Sequence, residues 1–209
     1  GGCTEAEVQK SINILKENLL DNFVVLNCLS AYPAPLNEFS IGNAATGAAP
    51  AISATGGDAN IDLNITPKGY GRATFNGQGK IQSVAEKVTT EATAATGTIN
   101  YDVLTQAVWN FTTNAAANWT LNVRGDGSTS LDSIMDTGES ITIAHIVKMG
   151  LTPYYNSAFQ IDGSSVTPEY QGGSAPSAGN ASSLDVYTYT IIKTGSATFT
   201  VLAAQSQFA

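Results

Sequence analysis

Between residues 39 and 84 the chain alternates short apolar pulses with glycine or asparagine turns. The stretch Asn-Ile-Asp-Leu-Asn-Ile-Thr-Pro-Lys-Gly-Tyr-Gly-Arg, residues 60 to 72, shows the pattern. In an extended strand successive side chains point to opposite faces. Ile61, Leu63 and Ile65 therefore share one face and Asp62 and Asn64 the other, until Pro67, Gly69 and Gly71 turn the strand off. Similar pulses read Phe39-Ser40-Ile41, Ala51-Ile52-Ser53 and Arg72-Ala73-Thr74-Phe75. Each strand offers too few apolar side chains for such a segment to bury a core alone. The economical solution is a prism in which equivalent strands of several chains face one another around an axis and share their core.

Composition limits the partners. Nine basic residues stand against seventeen acidic ones, a net charge of -8, and the few Lys and Arg are scattered. A phosphate backbone or an anionic membrane would meet net repulsion, so nucleic-acid binding and membrane adsorption are not expected. No apolar run reaches the roughly 18 residues of a spanning helix, and the chain reads as soluble. Charged residues are 12% of the total, and Gly, Ser, Thr, Asn and Ala crowd the middle and the end, the usage of an all-β, turn-rich, extracellular or particle-borne protein more than of a cytosolic enzyme.

Thr4-Glu5-Ala6-Glu7 is a capping-box pattern that predicts a helix start. Val8, Ile12, Leu15, Leu19, Asn22, Leu26 and Leu29 then fall at spacings of four and three, the seam of a coiled coil. The alternative is an amphipathic helix packed on its own β domain. Tyr32-Pro33-Ala34-Pro35 favours the coiled coil, because a stiff extended linker holds the helix away from the β segments beyond it. The seam does not separate dimer from trimer; three small apolar faces closing a triangular core make the trimer the natural expectation. On a single helix Cys3 and Cys28 lie about 37 Å apart and cannot pair within a chain, which leaves two free thiols. The Gly-Gly-Cys start, with neither an initiator Met nor a signal-like apolar core, reads as a processed chain or a piece of a longer one.

The remainder, 85–209, holds both Trp residues and the near-continuous run Ser-Ile-Thr-Ile-Ala-His-Ile-Val-Lys-Met-Gly over 140–150, and can bury a real core. Strands are expected at 97–102, 107–112, 118–124, 140–149, 158–161, 184–193 and 197–203, the last two joined as a hairpin around Lys193-Thr194-Gly195-Ser196. The expected fold is mainly β: an N-terminal helix for oligomerisation over 1–31, a Pro-containing linker over 32–38, an intertwined shaft over 39–84, and an antiparallel, jelly-roll-like β-sandwich over 85–209.

Residues 39 to 81 resemble the shaft repeats of bacteriophage fibre proteins in the wording Asp-Ala-Asn-Ile-Asp-Leu-Asn-Ile-Thr-Pro-Lys-Gly with a following Gly-Arg strand. Residues 97 to 209 are similar to C-terminal domains of structural proteins of tailed phages, notably marine and cyanobacterial ones. The resemblance implies a homotrimeric virion fibre or appendage that docks through its N-terminal segment to other virion proteins and displays its last domain to the environment for host-surface attachment. The family's tips vary in what they bind, and a host-surface glycan is the candidate partner. The short shaft leaves room for a capsid-attached fibre or decoration protein, and a glycan-depolymerising spike is a third class. No catalytic motif, metal or cofactor comes with the resemblance.

The residues themselves argue the same way. His145 is the only histidine and alternates with Ile141, Ile143, Val147 and Met149 on one strand face, so a hydrogen-bonded core histidine is expected rather than a catalytic base. No Gly-x-Ser-x-Gly elbow accompanies it. Arg124-Gly125-Asp126, with Ser128, Ser130 and Asp132, invites an adhesion or calcium loop, but Gly and Asp also make such turns for backbone reasons alone. The Asn-x-Ser/Thr patterns at Asn64, Asn110, Asn118 and Asn180 fall mostly on expected strands. Tyr154, Tyr155 and Asn156, and Tyr170 and Gln171, pair aromatic rings with amides, the equipment for stacking on a sugar while bonding its hydroxyls. The expected oligomerisation core is Val8, Ile12, Leu15, Leu19, Leu26, Ile61, Leu63 and Ile65.

Overall fold

The computed structural model describes residues 38–42, 44 and 46–209, together with Thr4, Ala6, Gln9, Lys10 and Asn13. The last four of these are helical, and Gln9 Nε2 donates to Asn13 Oδ1 at 3.0 Å, one turn on. Cys3, Cys28 and the seam residues Val8, Ile12, Leu15, Leu19, Asn22, Leu26 and Leu29 lie outside the described residues. The chain divides into two compact units, 1–74 and 75–209.

In the first unit β1 (Glu38–Gly42) and β2 (Ala51–Thr55) form an antiparallel hairpin in which Ile41 faces Ile52. Both side chains are exposed, at 70% and 61%. The strands expected at 61–65 and 72–75 are absent: neither stretch has a ladder partner among the described residues. Ile61 is half-buried, whereas Leu63 and Ile65 are exposed. A strand needs an edge to pair with, and a single chain provides none here. The corner at Pro67 does form, with Gly71 N–H donating to Lys68 O at 3.1 Å and Gly69 at φ 60°, a conformation suited to glycine.

The second unit carries ten strands: β3 (Val88–Ala94), β4 (Gly97–Asp102), β5 (Val108–Thr113), β6 (Trp119–Arg124), β7 (Ser140–Lys148), β8 (Asn156–Ile161), β9 (Ser164–Ser165), β10 (Glu169–Tyr170), β11 (Leu184–Gly195) and β12 (Thr198–Phe208). One sheet has the order β10-β12-β11-β7-β5-β3 and the other β4-β6-β8-β9. From β3 to β8 consecutive strands alternate between the two sheets. Each odd strand pairs in parallel with the odd strand two places on, and each even strand likewise. The chain thus winds as three flattened coils, one strand of every coil in each sheet. Only then does it fold back: β11 runs antiparallel to β7, and β12 antiparallel to β11.

This corrects the expected antiparallel jelly roll. Gly97 shows how the winding is enforced. At φ 61° it turns the chain sharply after β3, so that β4 joins the other sheet rather than a hairpin. Stacked parallel strands also put like residues over one another. Asn122 Nδ2 donates to Asn100 Oδ1 at 2.8 Å in the next coil, while its own Oδ1 accepts from Gly163 N–H at 2.8 Å. Such amide ladders satisfy side chains that no hairpin would have aligned.

Between the sheets lies one core. Leu121, Val123, Phe159 and Ile161 from the four-stranded sheet meet Ile143, Val147, Ile191 and Val201 from the six-stranded one. Trp119 meets Tyr187 edge-on at 5.5 Å between centroids, and Phe159 stacks on Tyr189 at 4.6 Å. Tyr101 OH crosses the core to donate to Ala107 O at 2.6 Å. The loop after β6 carries the short helix α1 (Leu131–Ile134), capped by the Ser130 hydroxyl and by the Asp162 carboxylate, which accepts from Leu131 and Asp132 N–H at 2.7 and 3.0 Å.

Candidate functional site

β10 is two residues long and lies parallel against β12, with Glu169 opposite Leu202 and Tyr170 opposite Ala203. Paired residues share a face. Ala203 is buried, so Tyr170 points toward the sandwich interior, and Glu169 shares the outer face with exposed Leu202. A tight turn, Gln171–Gly173, comes next; Gly172 and Gly173 adopt φ 80° and 79°. On the outer face Glu169, Gln171, Thr188, Thr190 and Leu202, with the edge of Tyr170, line a cleft of about 390 Å³. A neighbouring cleft of about 290 Å³ shares Tyr170 and Gln171 and continues to Gly172, Ser174, Pro176 and Gln205.

The arrangement has an apolar floor at Leu202 and the threonine methyls, and hydrogen-bonding groups of both kinds on its rim: a carboxylate, a carboxamide and two hydroxyls. Thr190 Oγ1 lies 3.2 Å from Thr142 Oγ1 on the next strand, which fixes its rotamer. Tyr170 is half-buried and burial raises its pKa, so its phenol stays protonated. The ring closes the edge of the core. It serves the clefts as a wall, not as the free stacking platform expected from the sequence.

The other expected sugar-binding residues lie elsewhere. Tyr154 and Tyr155 are half-buried against the core. Asn156 is buried and spent internally: its Nδ2 donates to Trp119 O at 3.2 Å and Ala158 O at 3.0 Å, and its Oδ1 accepts from Tyr189 OH at 2.8 Å. It holds β8 in register and has no group left for a sugar. None of the three lines either cleft. Thr188 and Thr190 do not stand out in the sequence. A two-residue strand has no periodicity to detect, and the cleft exists only once β10 lies beside β12.

Burial of His145 is as expected, but its hydrogen bond is not there. The imidazole is fully buried, ringed by Tyr101, Trp109, Phe111 and Trp119 at 5.0 to 6.4 Å, and neither nitrogen has a protein partner. Burial pushes its pKa down to about 3, so the ring is neutral. The 124–136 loop is spent on structure as well. Arg124 Nε donates to Asp102 at 2.6 Å, so the guanidinium of the Arg-Gly-Asp sequence is engaged in an ion pair within the domain. Asp126 accepts from Ser128 N–H at 2.8 Å, as an Asx turn does. Asp132 pairs with Lys193 Nζ at 2.7 Å. That hydrogen bond, with a second from Ala197 N–H, holds the Asp132 carboxyl below its usual pKa. Among the described residues no group of His, Cys, Asp and Glu is placed to hold a metal ion, and no helix is long and apolar enough to cross a membrane.

Comparison with known proteins overturns the resemblance on which the functional expectation rested. The profile of the NeuB family matches residues 1–46. No curated protein and no solved structure matches the chain. Nothing among these findings is a phage fibre, so the tail fibre, the capsid-attached decoration protein, the glycan-depolymerising spike and the virion location all fall. Glycine-punctuated short strands recur wherever β-rich chains turn often, and wording of such low complexity is shared without kinship. The NeuB match spans 46 of 209 residues, too little to place the chain in that family, and it includes none of the residues that line the clefts.

Proposed function

We propose that the chain is a non-enzymatic, self-associating glycan-binding protein whose second unit takes a sugar ring at β10. One observation carries the reading: a concave surface with an apolar floor at Leu202 and a rim of Glu169, Gln171, Thr188 and Thr190. A saccharide offers the complement, with C–H faces for the floor and hydroxyls that both donate and accept. Isothermal titration of neutral oligosaccharides from a glycan array tests it. Binding weakened at least fivefold by Gln171→Ala and Glu169→Ala would support the reading, and a protein that binds no glycan at millimolar concentration would end it.

Self-association as a homotrimer belongs to the same reading. Ile41, Ile52, Leu63, Ile65, Phe75 and Ile81 are all exposed in one chain. Burying them against other copies would recover about 25 cal/mol for each Å² of apolar surface. Several weak clefts on one assembly gain effective concentration on a repetitive surface, so no single cleft need bind tightly.

A further inference from the structure

The outer face of the six-stranded sheet holds a further cleft, of about 430 Å³, at the end of β11 away from β10. Asn110 and Thr112 from β5, Lys148 from β7, and Ser182, Ser183 and Leu184 at the start of β11 line it. No acid is among its lining residues. Lys148 is exposed and its ammonium has no ion pair among the described residues. The Asn110 carboxamide, half-buried beside it, also has no hydrogen-bond partner there. Ser183 Oγ donates to Asn180 O at 3.0 Å and Thr112 Oγ1 to Glu91 O at 3.0 Å, so these hydroxyls are held in place around the opening.

This cleft and the 390 Å³ cleft at β10 open on the same face. Leu184 belongs to this one and Thr188 to the β10 cleft. The two positions are four residues apart on β11, about 13 Å, with Val186 the single outward side chain between them. An elongated molecule lying along β11 would reach both.

We infer that the Lys148 cleft is a subsite for a carboxylate-bearing sugar, a hexuronic acid, in a saccharide whose neutral part occupies the β10 cleft. The inference rests on the proposed glycan reading and adds the charge class. Lys148 would form the ion pair and the Asn110 amide a second hydrogen bond to the same carboxylate. Glu169 does not oppose this. It lies in the other cleft, beyond the roughly 8 Å over which exposed charges are felt at physiological ionic strength.

The test is amide and side-chain amide NMR on the full chain, titrated separately with galacturonate and galactose. Galacturonate should shift the Asn110 side-chain amide and the Lys148 and Ser183 amides, and galactose should leave these unmoved while shifting residues 169–171. Lys148→Gln should weaken galacturonate binding about fivefold, the scale of an exposed ion pair, and leave galactose untouched. Galacturonate shifts confined to residues 169–171, or a Lys148→Gln protein that binds it as the parent does, would overturn the inference and leave the glycan reading standing. Silence toward both sugars would overturn both.

Discussion

His145 shows what a single position can reveal about the whole core. An imidazole with no hydrogen bond, ringed by four aromatic side chains, is kept neutral by desolvation. Its folded pKa of about 3 lies below the ordinary value of 6.5, so the unfolded chain takes up a proton in that window while the native one does not. Stability is therefore complete above pH 6.5 and falls as the pH drops toward 3, by about 1.4 kcal/mol per pH unit from this residue. Urea unfolding across that range checks it, and His145→Phe, which keeps a ring in the cage, should remove that part of the slope. Lys193 makes a second test. Its Nζ donates to Asp132 O and Met135 O at 2.6 and 2.9 Å and pairs with the Asp132 carboxylate, pinning α1 to the β11–β12 hairpin. Lys193→Met leaves two carbonyls without that donor and the Asp132 carboxylate with Ala197 N–H alone, and should cost about 2 kcal/mol in urea unfolding.

At the scale of elements, the β10 cleft depends on the turn that ends it. Gly172 sits at φ 80°, with nothing within 4 Å of the place a Cβ would occupy. Gly172→Ala therefore meets strain and no clash: it should cost about 1 kcal/mol and displace Gln171, weakening sugar binding more than it weakens the fold. Parallel thermal melts and titrations separate the two effects. Strands of the second unit are legible in the sequence wherever alternation runs for six residues or more, as in Gly97–Asp102 and Ser140–Lys148. Their partners are not. Alternation gives a strand its two faces but does not say whether its neighbour is the next strand or the one after, and short connections between sheets look like hairpin turns. The strand Val88–Ala94 escapes notice because Thr-Thr-Glu-Ala-Thr carries almost no apolar signal. Its backbone is ordered by β5 alongside, not by its own side chains.

For the whole molecule, solution mass at micromolar concentration is the decisive measurement. A trimer that reverts to monomers when Ile41, Ile52 and Leu63 are changed to Ser would support a core shared between copies. A folded monomer in the parent protein would remove that idea and leave the clefts standing alone. The coiled course from β3 to β8 has another consequence, for how such a domain changes size. Inserting one more pair of strands would thicken the stack by about 4.8 Å, the spacing of neighbouring strands, and would need no new kind of contact. The β10 cleft is built beside β12, on the sheet edge opposite β3, so a coil added ahead of β3 leaves it intact. Size and cleft are thus separate variables in this architecture: the stack can be counted in whole coils while the β10 cleft stays the same.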